Sequence, residues 1–155
     1  MAEIKYVQNI MNKNVITMKP KQTVSEAVKE MSAKNIGCII VLERSKPVGI
    51  ITERDLIKKL LLKGKDAEKT TLDSVMTKNP ITLPPNTTVI DAARMMKKNK
   101  FRRFPIVEKG VLLGIITETD ILYGMTEMIK HLNWKLVNTK IVLEEFTTHF
   151  EEMLS

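Results

Sequence analysis

Few side chains here are equipped for covalent or metal chemistry. The 155 residues include one cysteine, Cys38, and two histidines, His131 and His149, which lie far apart. An internal disulfide is excluded, and no cysteine-histidine zinc set can be assembled. There is no Gly-x-x-x-x-Gly-Lys loop and no Gly-x-Ser-x-Gly elbow. No nucleophile–base pair stands out, so the chain reads as something other than an enzyme, with no catalytic cofactor or metal. Aromatic residues make up only 5% of the chain, so its core must be aliphatic, built from Ile, Val, Leu and the ten Met. No apolar run approaches the roughly 20 residues of a membrane span. Residues 1–6 carry no apolar signal stretch. With a lone cysteine, the expected compartment is the cytoplasm.

What the chain has in excess is positive charge, +7 formally. Such a surface attracts anions: nucleotides, nucleic acid or acidic proteins. Arg94, Lys97, Lys98, Lys100, Arg102 and Arg103 concentrate it within ten positions. Nucleic-acid binding through this cluster is one reading, but no reader motif accompanies it and aromatic platforms are few. Lys58-Lys59 and Lys97-Lys98 read as solvated helix faces, and Cys38 as a small residue in an apolar strand.

The chain also has a repeat. Residues 7–60 and 72–125 align at a constant offset of 65, with 17 of 54 positions identical and no gap. A repeat of this length means two copies of one supersecondary unit. Each copy buries little surface alone, so each should need the other to complete a core. The expected organisation is repeat 1 over 7–63, a linker over 64–71, repeat 2 over 72–125 and a helical extension over 126–155.

Within repeat 1, Val15–Met18 reads as a strand closed by Pro20. Thr23 to Glu26 is a capping box that opens a helix burying Val24, Ala27, Val28 and Met31. Cys38–Leu42 and Val48–Ile51 form a hairpin across a turn at 43–47. A second helix, 53–63, should bury Leu56, Ile57, Leu60 and Leu61. Repeat 2 copies this with a strand at 81–83, a box at Thr88 to Asp91, a helix burying Val89, Ala92, Ala93 and Met96, and a hairpin over 104–116. Each unit is strand–helix–strand–strand–helix, an α/β (α+β) fold with pseudo-two-fold symmetry and a C-terminal helical tail.

In the tail, Ile129, Leu132, Leu136, Thr139, Leu143, Phe146, Phe150 and Met153 alternate steps of three and four, as in a heptad seam. Either the tail pairs with another helix, or it packs back on its own domain. Trp134 and 140–142 lie off the seam and leave room for a kink.

Thr52-Glu53-Arg54-Asp55 and Thr117-Glu118-Thr119-Asp120 each follow an apolar strand that contains a glycine, Gly49 or Gly114. As local structure each is a capping box. The same groups can serve a ligand: the glycine leaves backbone accessible, the helix N-terminus presents free N–H groups, and the Asp offers acceptors for vicinal ribose hydroxyls. The two uses are compatible.

These motifs carry a resemblance. The 7–125 region resembles a tandem pair of CBS domains, a Bateman module, as in stand-alone CBS domain-containing proteins. The carrying residues are Gly49-Ile50-Ile51-Thr52-x-x-Asp55 and Gly114-Ile115-Ile116-Thr117-x-x-Asp120. Met11-x-x-Asn14-x-Ile16-Thr17, Met76-x-x-Asn79-x-Ile81-Thr82 and Phe101–Val107 support them. The resemblance implies a non-catalytic regulatory module that binds AMP, ADP, ATP or S-adenosylmethionine in clefts between the repeats and passes a conformational change to a partner. It implies a base slot at Ile16 with Ile36, Gly37 and Cys38, and another at Ile81 with Phe101, Arg102 and Arg103. The ribose would fall to Thr52 with Asp55 and to Thr117 with Asp120, often across from the other repeat, and phosphate to Arg102 or Arg103. A homodimer and an unidentified protein target are the implied partners. The alternative is an interaction module with vestigial clefts that acts through its tail.

Overall fold

The computed structural model of the chain describes residues 4–154, with side chains through residue 144. The seam positions Phe146, Phe150 and Met153 lie outside the described side chains. The strands are β1 (Thr17–Met18), β2 (Cys38–Glu43), β3 (Lys46–Thr52), β4 (Thr77–Lys78), β5 (Arg103–Glu108) and β6 (Val111–Thr117). The α-helices are α1 (Val24–Lys34), α2 (Glu53–Asp55), α3 (Leu72–Val75), α4 (Val89–Asn99) and α5 (Glu118–Leu154).

Local signals act as their chemistry requires. Thr23 caps α1: its hydroxyl accepts from the Glu26 amide at 3.2 Å while Glu26 accepts from the Thr23 amide at 2.7 Å. Asn35 ends α1 in the left-handed conformation, and Lys100 does the same for α4. The β2–β3 hairpin turns through Arg44 and Ser45, both at positive φ, and the β5–β6 hairpin through Lys109 and Gly110, likewise. Two consecutive left-handed residues give the turn whose twist suits a tight hairpin. Pro47, expected in the turn, instead pairs with Leu42 in β3, beside a register shift in the ladder.

Several expected details are corrected. Val28 and Ile57 are exposed, and Ala93 is only half-buried. The second helix of repeat 1 is not uniform: α2 passes into a π turn at Leu56–Leu60 and a tight 3₁₀ turn at Leu61–Lys63. The wider turn carries Leu60 into the core and leaves Leu61 in solvent. The strand expected at 81–83 reduces to a single parallel bridge, Leu83 to Ile106. Pro80, Pro84 and Pro85 flank it and supply no N–H for a longer ladder.

The joining of the halves is the main structural fact. Ile50 of β3 pairs with Thr77 of β4, in the segment that opens repeat 2. At the quasi-equivalent place, Ile115 of β6 pairs with Asn12, in the segment that opens repeat 1. The exchange continues outward. The Leu72 amide donates to the Gln22 carbonyl at 2.9 Å, and the Val7 amide to the Thr87 carbonyl, also at 2.9 Å. Leu72 and Val75 therefore complete the core of repeat 1, with Val24, Ala27, Met31, Ile39, Val41 and Ile51. Val7 completes the core of repeat 2, with Leu83, Val89, Met96, Phe104, Ile106 and Ile116. Each sequence repeat opens with an element that packs on the other. Ile40, Ile50 and Ile115 fill the seam between the sheets, flanked by Val15, Cys38, Leu42 and Leu112.

Gly49 and Gly114 serve this exchange. Both are buried inside strands rather than offering backbone to a ligand. A Cβ on Gly114 would lie 2.8 Å from the Asn12 carbonyl oxygen, which cannot retreat without breaking the exchanged pairing. A Cβ on Gly49 would meet the Met76 side chain, which can swing aside. Gly114→Ala should therefore destabilise the fold by about 1–3 kcal/mol, and more than Gly49→Ala. Urea denaturation of the two variants measures the difference.

Candidate functional site

A cleft of about 310 Å³ opens between the repeats, at the lower end of small-molecule sites, roughly 300–1,000 Å³. Both halves build it. Repeat 1 brings Gly37 from the approach to β2, Ile50 and Thr52 from β3, and Glu53, Arg54 and Asp55 from α2. The segment through β4 adds Thr77, Asn79, Pro80 and Ile81. The left-handed cap of α4 turns the chain so that Lys100, Phe101, Arg102 and Arg103 reach the same space.

The lining divides by chemistry. Ile81 and Phe101 are large apolar side chains left partly exposed in the cleft, beside Ile50, Pro80 and Pro105. Phe101 is steadied edge-on by buried Phe104, with ring centroids 5.9 Å apart. Such a slot suits a flat, weakly polar ring. The rim carries Arg54, Lys100, Arg102 and Arg103. Arg102 is committed to Glu118 at 3.1 Å. The Arg103 guanidinium lies over Gly37 with Glu53 Oε2 nearby, a Cβ there meeting each at 3.3 Å, and it makes no hydrogen bond or ion pair in the described structure. Of the two arginines, Arg103 is the one free to receive an anion.

Asp55 is the buried charge of the cleft. Its Oδ2 accepts from the Thr52 amide at 3.0 Å and the Thr52 hydroxyl at 2.8 Å. Its Oδ1 accepts from Lys59 Nζ at 2.7 Å and the Thr77 hydroxyl at 3.1 Å. The Asp55 amide donates back to Thr52 Oγ1, so the capping box is real and the carboxylate does more besides. Burial alone pushes this carboxyl up, but hydrogen bonds from Lys59 and Thr52 and the charge of Lys59 together hold it below the ordinary Asp value. Lys59, expected on a solvated face, is half-buried against Asp55.

Among the residues singled out in the sequence, the cleft gathers Gly37, Thr52, Asp55, Ile81, Phe101, Arg102 and Arg103. Ile16, Ile36, Cys38, Thr117 and Asp120 are not among its lining; they occupy quasi-equivalent positions at offset 65, across the pseudo-two-fold. Thr77, Asn79, Pro80 and Lys100 were not anticipated as cleft residues, and Arg54 enters from within the Thr52–Asp55 motif. Thr77, Asn79 and Pro80 reach the cleft only because the repeats exchange segments, which a linear alignment does not display.

A carboxyl held low in the folded state adds stability at neutral pH. That contribution is lost as pH falls below the unfolded value, about 3.9, and through the folded one. Wild type should therefore melt above Asp55→Asn at pH 7, and the gap should shrink below about pH 4. Melting temperatures across that range check it.

Comparison with known proteins places this geometry. The CBS domain family matches residues 7–62 and 72–127. An uncharacterized protein of Methanocaldococcus jannaschii is 40% identical over 117 residues, 75% of this chain and 41% of that protein, so the chain spans less than half of this relative. The hexameric CBS-CP12 protein from bloom-forming cyanobacteria superposes with a TM-score of 0.70 at 35% identity, covering 76% of this chain and 70% of that one. CBSX2, solved in complex with AMP, shares the fold with a TM-score of 0.70 at 24% identity, covering 79% of this chain and 97% of its own. With two matched repeats, a shared fold and a cleft assembled from both halves, the chain belongs to the CBS domain family as a tandem pair.

Proposed function

We propose that this CBS pair is a non-catalytic regulatory module. It binds adenosine-containing ligands (AMP, ADP, ATP or S-adenosylmethionine) in the clefts between its repeats and passes the change to a protein partner. One observation carries the reading: an apolar slot and an uncommitted guanidinium meet in one cleft that both repeats build. Adenine fits the slot of Ile81 and Phe101, and phosphate or carboxylate fits Arg103. CBSX2, which shares the fold, is solved with AMP. The Thr117–Asp120 set, with Ile16, Ile36, Gly37 and Cys38, would form the companion site.

The mechanism is a population shift. A ligand that touches both repeats favours the mutual orientation in which those contacts are best. The π turn after Asp55 joins the cleft to the exposed apolar residues Ile57, Leu61 and Leu62, one route by which the change could reach a partner.

A second reading has its own observation. From Ile129 onward α5 exposes Ile129, Leu132, Trp134, Leu136, Val137, Ile141, Val142 and Leu143, all at least 46% accessible. That part of the helix is exposed along its described length, and the apolar face of Ile129, Leu132, Leu136 and Leu143 marks an association site. Self-association, as a homodimer or larger, is the simplest use; the CBS-CP12 relative is hexameric. Nucleic acid is a poorer fit for the basic cluster, because Arg94 is paired with Asp91 and Arg102 with Glu118. No helix of the described residues is long and apolar enough to cross a membrane. As its compartment we propose the cytoplasm, on the single cysteine.

Isothermal titration with AMP, ATP and S-adenosylmethionine tests the first reading: at least one should bind and raise the melting temperature, and silence from all three would remove it. Arg103→Ala should weaken a phosphorylated ligand by about 1.5–3 kcal/mol and leave adenosine within about twofold. For the second reading, a chain ending at residue 131 should keep its melting temperature but form a smaller assembly by light scattering. An unchanged assembly would make the tail dispensable for association.

A further inference from the structure

The two Thr-x-x-Asp motifs agree in sequence and differ in what their carboxylates have left to offer. An ionised carboxylate has about four acceptor positions. At Asp55 all four are taken, by the Thr52 amide and hydroxyl on Oδ2 and by Lys59 and Thr77 on Oδ1. Lys59 also donates to the Thr77 hydroxyl at 3.1 Å, which closes the cluster. At Asp120 the Thr117 amide and hydroxyl occupy Oδ2, at 2.8 and 2.6 Å. Its Oδ1 has no protein partner among the described residues.

The cause is legible at offset 65. The counterpart of Lys59 is Gly124, and the counterpart of Thr77 is Asn12. Gly124 is buried under the N-terminal segment: a Cβ there would lie 2.7 Å from Ile10 Cδ1, so no longer side chain fits without displacing it. The donor that Lys59 supplies to Asp55 is therefore missing from Asp120 for steric reasons, and Asn12, standing in the place of Thr77, makes no hydrogen bond to Asp120; its side-chain oxygen accepts from the Asn14 amide instead.

A vicinal diol needs two open acceptor positions. Asp120 has them. At Asp55 a neutral hydroxyl would have to displace an ammonium, exchanging a charge-assisted hydrogen bond for a weaker one. We propose that Lys59 and Thr77 turn Asp55 into a structural latch, so that a ribose diol is held by Asp120, while the Asp55 cleft grips its ligand through the apolar slot and Arg103 with no diol contact. Lys59 is then a specificity-determining residue, and the duplicated motif specifies two unlike sites. This rests on the adenosyl-ligand reading above.

The test is the ratio of Kd for 2′-deoxy-AMP to Kd for AMP, measured in the full chain. Arg103→Ala, which removes the phosphate contact of the latched cleft and leaves the Asp120 site to dominate, should prefer AMP by about tenfold. Asp120→Asn, which leaves the latched site, should discriminate by less than about twofold. Adding Lys59→Met and Thr77→Val together to Asp120→Asn should free both positions on Asp55 Oδ1, release the latch and raise the ratio to about tenfold. Lys59→Leu with Thr77→Val, which likewise removes both donors, serves if the Met variant does not melt cooperatively. Tenfold discrimination by Asp120→Asn with Lys59 and Thr77 intact would overturn the proposal, as would a ratio unmoved by removing both. Failure of wild type to bind AMP, ATP and S-adenosylmethionine alike would instead overturn the adenosyl reading, and this proposal with it; if ATP binds and AMP does not, 2′-deoxy-ATP against ATP gives the same ratio.

Discussion

Two short backbone pairings hold this molecule in its working form. Thr77 bridges to Ile50, and Asn12 bridges to Ile115, so each repeat receives an edge from the segment that opens the other. Separate the repeats, and each loses part of its core along with that edge: Leu72 and Val75 from one, Val7 from the other. The glycines at 49 and 114 follow from the same constraint, since the incoming segment runs where their side chains would stand. The cleft is a by-product of the exchange. Thr77, Asn79, Pro80 and Ile81 line it because the segment that lends β4 to the first sheet must pass between the repeats to reach the second.

Much of this could be read before any coordinates. Capping at Thr23, Thr52, Thr88 and Thr117 was legible because each cap is decided by residues three apart. The hairpins were legible because apolar runs and turn residues are local too. Two sorts of fact were not. The first is the segment exchange: an alignment of two repeats shows that they are alike, not which partner each element packs on. The second is the fate of individual side chains. Ile57 and Leu61 obeyed a regular helical period on paper, but the π turn broke that period and left them in solvent. Lys59 looked like one more surface lysine, and its role appeared only once Thr77 was seen beside Asp55.

The candidate site divides along the same line. The residue types were legible from the duplicated motif, and seven of the anticipated residues do line one cleft. Their division of labour was not. Arg102 and Arg103 are neighbours in sequence, yet one is spent on Glu118 and the other lies over Gly37 without a partner. Asp55 and Asp120 are identical in motif, yet one is saturated and the other half-open. Duplication supplied two similar frames, and small substitutions around them, Lys59 against Gly124 and Thr77 against Asn12, set the frames to different uses. The long exposed helix α5 adds a surface that neither repeat explains.

The most direct measurement is amide chemical-shift mapping of the full chain on addition of AMP. A ligand seated between interlocked repeats should shift residues of both at once, Ile16 and Gly37–Cys38 together with Thr117–Asp120 across the pseudo-two-fold, and Gly37 and Thr52 together with Phe101 and Arg103 in the described cleft. Shifts confined to one repeat or to exposed lysines, or no saturable shift with AMP, ATP or S-adenosylmethionine, would contradict a sensing site built by the exchange.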